Sequence, residues 1–293
     1  MTSALPVESV ALLVAGVPGA VLVVRFVAWR LVLAMAAASM HLPLLGQSRA
    51  WARVRPVRAW LERRFPRAFS MVEARFGMRH FTGLPLTLMV LAAGYVAALL
   101  GGLAEEVIEA GAVFRWDQAV NAAFDGWRVP PLVGLFRWIT ALGAGPSLTA
   151  VSVTATAFLW ADRRPGYILP LWVTFLGAQA TTWGGKYVID RHRPAFIPGV
   201  SEVSPSFPSG HATASMALFG FLAYAIARDL GAARPRFEVG FWSAVLIAAI
   251  GFSRVFLSVH YSTDVLAGFM VGLFWLLVGL GVREWMQSGV SGR

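Results

Sequence analysis

The sequence predicts an all-α fold, a polytopic membrane helical bundle with six core transmembrane helices and at least one apolar helix ahead of them. Three observations carry this expectation. The 293 residues are 57% hydrophobic and 14% charged, whereas soluble domains carry about 25% charged residues. Several apolar runs approach or exceed the roughly 20 residues that a helix needs to cross a bilayer. The arginines crowd between those runs, as they do in cytoplasmic loops.

Residues 9–45 are apolar apart from Arg25, Arg30 and His41. No basic segment precedes the run, so a membrane helix is expected rather than a cleaved leader. One long tilted helix is the first expectation and a re-entrant hairpin the second. Residues 47–80 then gather Arg49, Arg53, Arg55, Arg58, Arg63, Arg64, Arg67, Arg75 and Arg79 among Trp51, Trp60, Leu61 and Phe65. This is the composition of a linker lying on anionic headgroups. His41 and His80 read as structural.

Residues 84–103 form an uninterrupted apolar span closed by Glu105, Glu106 and Glu109. Over 113–128, Trp116, Val120, Ala123, Phe124 and Trp127 share one helical face, away from Asp117, Asn121, Asp125 and Arg128. That spacing predicts an amphipathic helix in the interface plane. A second span lies within 131–160, broken near Gly143-Ala-Gly-Pro146. Further spans are expected at 166–186, 211–227, 238–258 and 262–282. The domain expectation is an N-terminal helix and basic linker (1–80), a helical bundle (81–285) and a cytoplasmic tail (286–293).

The basic loops at 47–80, 162–164 and 228–236, with Arg283, belong on one side, the cytoplasm. Alternation then sets 104–130, 187–210 and 258–263 outside. The +10 formal charge therefore reads as membrane topology, and no nucleic-acid partner is expected. The chain has no cysteine, which excludes disulfides, thiol nucleophiles and thiolate metal sites.

Three polar clusters interrupt the apolar pattern: Lys186 to Pro194, Pro205 to His211, and Ser253 to Asp264. Ionisable groups at membrane depth are costly and mark function. Lys186, the sole lysine of the chain, Arg193 and Arg254 supply three cations; His211 and His260 are titratable, and Asp264 is a carboxylate. Phosphoryl transfer asks a protein chiefly to position oxygens and neutralise charge, and arginine forks with a lysine point charge do that. His260 and Asp264 are four apart and share a helical face, so the carboxylate can orient the imidazole. Ser209-Gly210 before an apolar run reads as a helix start, where free N–H groups bind anions. Taken singly, these residues have plainer readings. Lys186 and Arg193 can anchor at the interface, Asp190 can pair with Lys186, Ser209 can cap a helix, Ser253 can pack, and His192 can be a solvated neighbour.

The clusters read K-x6-RP, PSGH and SR-x5-H-x3-D, and with all eleven fixed positions filled in order the chain resembles the type 2 phosphatidic acid phosphatase superfamily over about residues 84–283. That family includes the vanadium haloperoxidases, which use the same anion pocket. The resemblance implies a metal-free, cofactor-free membrane phosphatase acting on a lipid phosphate. In it Lys186, Arg193, Arg254 and the Ser209-Gly210 backbone hold the phosphoryl oxygens. His260 is the nucleophile, Asp264 stabilises its charge, and His211 is the acid. Undecaprenyl diphosphate, phosphatidylglycerol phosphate, phosphatidic acid and a lipid A phosphate all fit such a site. A phosphoryl or headgroup transferase is the nearest alternative, followed by a haloperoxidase and a non-enzymatic transporter. Inner-membrane location, an external site and vanadate sensitivity follow from the same reading; oligomeric state does not.

Overall fold

The structure, a computed structural model, describes residues 7–45, 59–60, 62–66, 84–195, 197 and 202–290. These fall into two compact units, one within Pro6–Thr87 and one within Leu88–Arg293. The first holds α1, Val7–Leu45, a single helix of 39 residues. At 1.5 Å per residue it is about 58 Å long, more than one straight bilayer crossing needs. Most of the arginine-rich segment and His80 lie outside the described residues, as does the side chain of His41.

α2, Leu84–Glu109, begins at the end of the first unit and runs into the second, which holds α3 Ala112–Ala123, α4 Pro130–Ala141, α5 Gly145–Ala161, α6 Ile168–Ile189, α7 Gly210–Ala227, α8 Ala233–Phe256 and α9 Ser262–Val290. No strand occurs among the described residues. Among the described residues, six segments are long and apolar enough to cross a membrane: 16–37 in α1, then 85–109, 130–161, 210–227, 233–256 and 262–288. The 130–161 segment is broken between α4 and α5 at the Gly-Ala-Gly-Pro run, where Pro146 sits in the first turn of α5, the position a proline tolerates best. α6 is equally long at 22 residues, but Gln179, three threonines and Lys186 dilute its hydropathy. α9 continues to Val290, so the region expected as a tail begins as helix.

α7 is the axis of the bundle, packed by α5, α6, α8 and α9. Leu171 and Phe175 of α6 meet Leu218 and Phe221 of α7 and Leu148 of α5 in the main core. α9 lies especially close to α7 because Gly268 and Gly272, four apart, face it. A Cβ at Gly268 would stand 2.6 Å from Ser209 O, and one at Gly272 2.6 Å from Thr213 O. This is the small-residue spacing that lets membrane helices approach backbone to backbone. It sets the first turn of α9 beside the start of α7, so that Ser209 N–H donates to Asp264 O at 2.9 Å.

The basic loops at 162–164 and 228–236 gather with Arg283 at the other end of these helices. Arg164 pairs with Asp229, Arg228 reaches Glu284 at 3.2 Å, and Arg283 stacks on Tyr167 at 4.0 Å. The three signature clusters and these two arginine loops thus sit at opposite ends of one bundle.

Candidate active site

Each site residue follows from its element. The buried stripe of α6 runs Leu171, Thr174, Phe175, Ala178, Thr182, Lys186, a helical repeat of three and four that delivers the lysine on the core-facing side. Thr174 and Thr182 hide their hydroxyls by donating to the carbonyls four residues back. Asp190 ends the helix in the left-handed conformation, φ 45°, and does not take the ammonium expected of it. Lys186 Nζ turns instead to Pro205 O and to Ser204 Oγ, the latter at 3.3 Å.

Beyond Asp190 the chain is extended, and alternate side chains face opposite ways. Arg191 and Arg193 turn inward, and His192 stays exposed. Arg193 is held on every nitrogen: Nε donates to Ser204 O at 2.7 Å, and Nη1 to Val259 O at 2.6 Å. Arg254, in the last turn of α8, is 4% exposed and donates to Thr140 Oγ1 at 3.0 Å. Ser253 is a packing residue, its hydroxyl bonded to Ile250 O at 2.6 Å within the helix.

Lys186, Arg193, Gly210, His211 and His260 line one cavity of about 200 Å³ together with Trp183, Glu202 and Ser204. Arg254 sits just behind, joined to the cavity through Glu202. Gly210 and His211 open α7, where backbone N–H groups lack helical partners. Ser209 is the N-cap, but its N–H is spent on Asp264 O and its hydroxyl is buried with no partner in the chain.

His260 is 2% exposed and sits on the turn between α8 and α9. That turn is clamped by Ser258, whose φ is 55° and whose hydroxyl donates to Ala195 O at 2.7 Å. His260 Nε2 is 3.2 Å from Arg193 Nη1. A guanidinium only donates, so Nε2 presents its lone pair and the ring proton sits on Nδ1. Nδ1 faces Asp264 Oδ2 at 3.4 Å, too long or bent for a full hydrogen bond, since Nδ1 counts as unpartnered. Burial, and then the charges of Arg254, Arg193 and Lys186, hold the imidazole pKa well below 6.5. The ring is therefore neutral at neutral pH.

Three residues of this neighbourhood escaped the sequence reading. Glu202 contacts both Arg254 and Arg193, the latter at 3.5 Å. Burial raises its pKa, but the Arg254 charge and hydrogen bond outweigh that and leave it below the usual carboxylate value. A carboxylate thus lines the cavity against two of its cations, where it would compete with a bound anion. Glu202→Gln is expected to tighten inhibition by vanadate or inorganic phosphate about five- to tenfold, the order of one charge-assisted contact removed from competition. Competitive inhibition constants measure this; weaker inhibition by the variant would be the wrong sign.

The other two are Arg191 and Asp117, and they correct the reading of α3. Val120 and Phe124 do pack inward, with Trp127 just beyond the helix, but Trp116 is 64% exposed whereas Asp117 is fully buried. The carboxylate turns inward because Ser262 O–H, Thr263 N–H and the Arg191 guanidinium await it there. Asn121 likewise donates to Ser258 Oγ at 3.1 Å. Hydrophobic spacing carries no signal for such polar partners.

The arrangement can bind an oxyanion with several negative oxygens and present a neutral imidazole to it. The comparisons with known proteins agree. Residues 167–287 match the family model described as the PAP2 superfamily. Phosphatidylglycerophosphatase B of Bacillus subtilis is 34% identical over 178 residues, 60% of this chain and 88% of that protein. Glucose-6-phosphatase 3 of Mus musculus is 30% identical over 173 residues, 51% of this chain and 49% of that protein. The crystal structure of the transmembrane PAP2 type phosphatidylglycerolphosphate phosphatase from Bacillus subtilis superposes with a TM-score of 0.62 at 31% identity, covering 66% of this chain and 96% of that one. With its apolar helices and its full set of signature positions, the chain belongs to the PAP2 superfamily and is a multi-pass membrane phosphatase.

Proposed function

We propose that this phosphatase hydrolyses a phosphomonoester or diphosphate of a membrane lipid through a phosphohistidine, with a phosphatidylglycerol phosphate as the first substrate to test. The observation that carries this reading is the neutral His260, its Nε2 lone pair turned into a cation-lined cavity at one end of membrane-spanning helices. Lys186, Arg193 and Arg254 neutralise the phosphoryl oxygens, the Gly210 backbone adds N–H donors, and the buried Arg254 Nε and Ser209 Oγ would each gain a partner from such an oxygen. Nε2 forms the N–P bond as the P–O bond to the lipid breaks, and His211 gives its proton to the departing oxygen. Water then attacks phosphorus, gives a proton back to His211, and the N–P bond breaks to release phosphate. Asp264 stabilises the positive charge on the His260 ring meanwhile. Half-exposed Trp183, stacked on Tyr187 at 6.1 Å, gives the cavity wall an interfacial aromatic character suited to a lipid.

The test is phosphate release in detergent micelles from phosphatidylglycerol phosphate, phosphatidic acid, undecaprenyl diphosphate and a lipid A phosphate. Hydrolysis of at least one in the presence of EDTA, inhibited by vanadate as a trigonal bipyramidal mimic, is the expected result. Activity lost in EDTA and restored by Mg2+ would reject the reading in which three side-chain cations do a metal's work.

The same reading places residues 1–80 as membrane helix and basic cytoplasmic linker, 81–285 as the catalytic bundle, and the active site on the external face of the inner membrane. In this cysteine-free chain, Val203→Cys should react with an impermeant maleimide added to intact cells. Asp162→Cys, at the arginine-rich end, should react only after permeabilisation. The reverse pattern would put the site in the cytoplasm.

A further inference from the structure

We propose that Asp117 and Arg191 are positioning residues for the phosphorylation step, holding Asp264 and through it the tautomer and charge of His260. The inference rests on His260 as nucleophile and extends that reading to a group on a different helix. Arg191 lies between two fully buried carboxylates: Nη1 donates to Asp264 Oδ1 at 2.5 Å, and Nη2 to Asp117 Oδ2 at 2.9 Å. The guanidinium also stacks on Tyr261 at 4.3 Å. Thr263 closes the set, its hydroxyl accepting from Arg191 Nη1 at 2.9 Å and donating to Asp117.

The geometry has two consequences for His260. First, Asp264 cannot rotate. Oδ1 is taken by Arg191, and Oδ2 accepts the Tyr261 N–H at 2.9 Å while facing His260 Nδ1 at 3.4 Å. Only Oδ2 is left to face the ring proton on Nδ1, in line with Arg193 Nη1 at the Nε2 lone pair. Second, the charge is graded. Arg191 beside Asp264 alone would form a neutral pair with little field left for an imidazolium. Asp117 on the far side draws on the same guanidinium, so the set of three keeps a single negative charge next to His260. Burial lowers the Arg191 pKa, but Asp264 and Asp117 outweigh it and keep the cation.

Capping of α9 accounts for only part of Asp117. Oδ1 accepts from Ser262 O–H at 2.6 Å and Thr263 N–H at 3.1 Å, and Oδ2 accepts from the Thr263 hydroxyl, all at the start of α9. Oδ2 also accepts from Arg191 Nη2 at 2.9 Å, a contact that a cap does not need. A cap explains the burial; the chain of contacts from Asp117 through Arg191 and Asp264 to His260 explains the charged partner.

The experiment is a double-mutant cycle on the whole chain in detergent, reading the rate of nitrophenolate release in the first turnover of an aryl phosphate, with the inhibition constant of inorganic phosphate measured alongside. Asp117→Asn and Arg191→Gln should each slow the first turnover by about 10–100-fold, as loss of a partner behind a ligand does. Phosphate inhibition should stay within about threefold, because Lys186, Arg193 and Arg254 are untouched. On an Asp264→Asn background either change should add less than about threefold, since residues acting through one another are non-additive. Losses that multiply on that background, or phosphate inhibition lost in step with the rate, would overturn the proposal, the second being what mere collapse of the fold gives. A first-turnover burst from His260→Ala would instead reject the nucleophile reading, so the two failures are distinguishable.

Discussion

His260→Ala is expected to lower phosphatase activity by about 10⁴–10⁶-fold on lipid and aryl phosphates alike, the range seen when a covalent nucleophile is removed. The loss should not depend on the leaving group, because without Nε2 no N–P bond forms whatever departs. No first-turnover burst of nitrophenolate should remain. The cation cradle should persist, as Lys186 and Arg193 are held by Pro205 O, Ser204 and Val259 O, so inorganic phosphate should still protect the variant against thermal unfolding. The depressed pKa of His260, set by burial and then by the three cations, fixes the sign of the pH effect. The neutral ring is the reactive form, and it persists until the pH falls through a value below 6.5. In kcat/KM, which reports the free enzyme, the acid limb due to this group should therefore lie below that of an ordinary histidine. A His260 imidazole that titrates at or above 6.5 by NMR, in step with the acid limb, would contradict the burial seen here.

What the sequence made legible, and what it did not, divides along one physical line. Bilayer thickness imposes runs of fixed length and hydropathy, so the spans and the break at Gly143-Ala-Gly-Pro146 could be read directly. Charged groups stranded among those runs exposed Lys186, Arg193, His211, Arg254, His260 and Asp264, and the structure collects all of them at one end of the bundle. Glu202 was invisible because nothing local marks a loop carboxylate that will settle on two arginines, one of them 52 residues away. Arg191 had a faint signal, being two residues before Arg193 in an extended run that ends at a proline. Its partner Asp117 is 74 residues away, on a helix whose hydrophobic spacing argued that this residue faced water. Ser209 shows the opposite failure: the helix start was correctly placed, yet its N–H goes to Asp264 O and only Gly210 and His211 of that start line the cavity.

The two histidines should separate by leaving group. His211 opens α7 and lines the same cavity as His260, and in the proposed reaction it protonates the departing oxygen. A lipid alkoxide leaves poorly without one, whereas a nitrophenolate, with a far lower conjugate-acid pKa, leaves unaided. His211→Ala should therefore lose about 10²–10⁴-fold on a lipid monoester, the usual contribution of a general acid. The first-turnover burst with an aryl phosphate should suffer much less, because N–P bond formation by His260 and the anchoring by Lys186, Arg193 and Arg254 are intact. Steady-state turnover of the aryl substrate should nevertheless slow, since in the proposed reaction His211 also takes the proton from the water that cleaves the phosphohistidine. A large burst followed by a slow phase is thus the expected trace for His211→Ala, against no burst at all for His260→Ala. Equal losses for His211→Ala on the lipid substrate and in the aryl burst would deny it the role of acid and leave it as one more wall of the anion pocket.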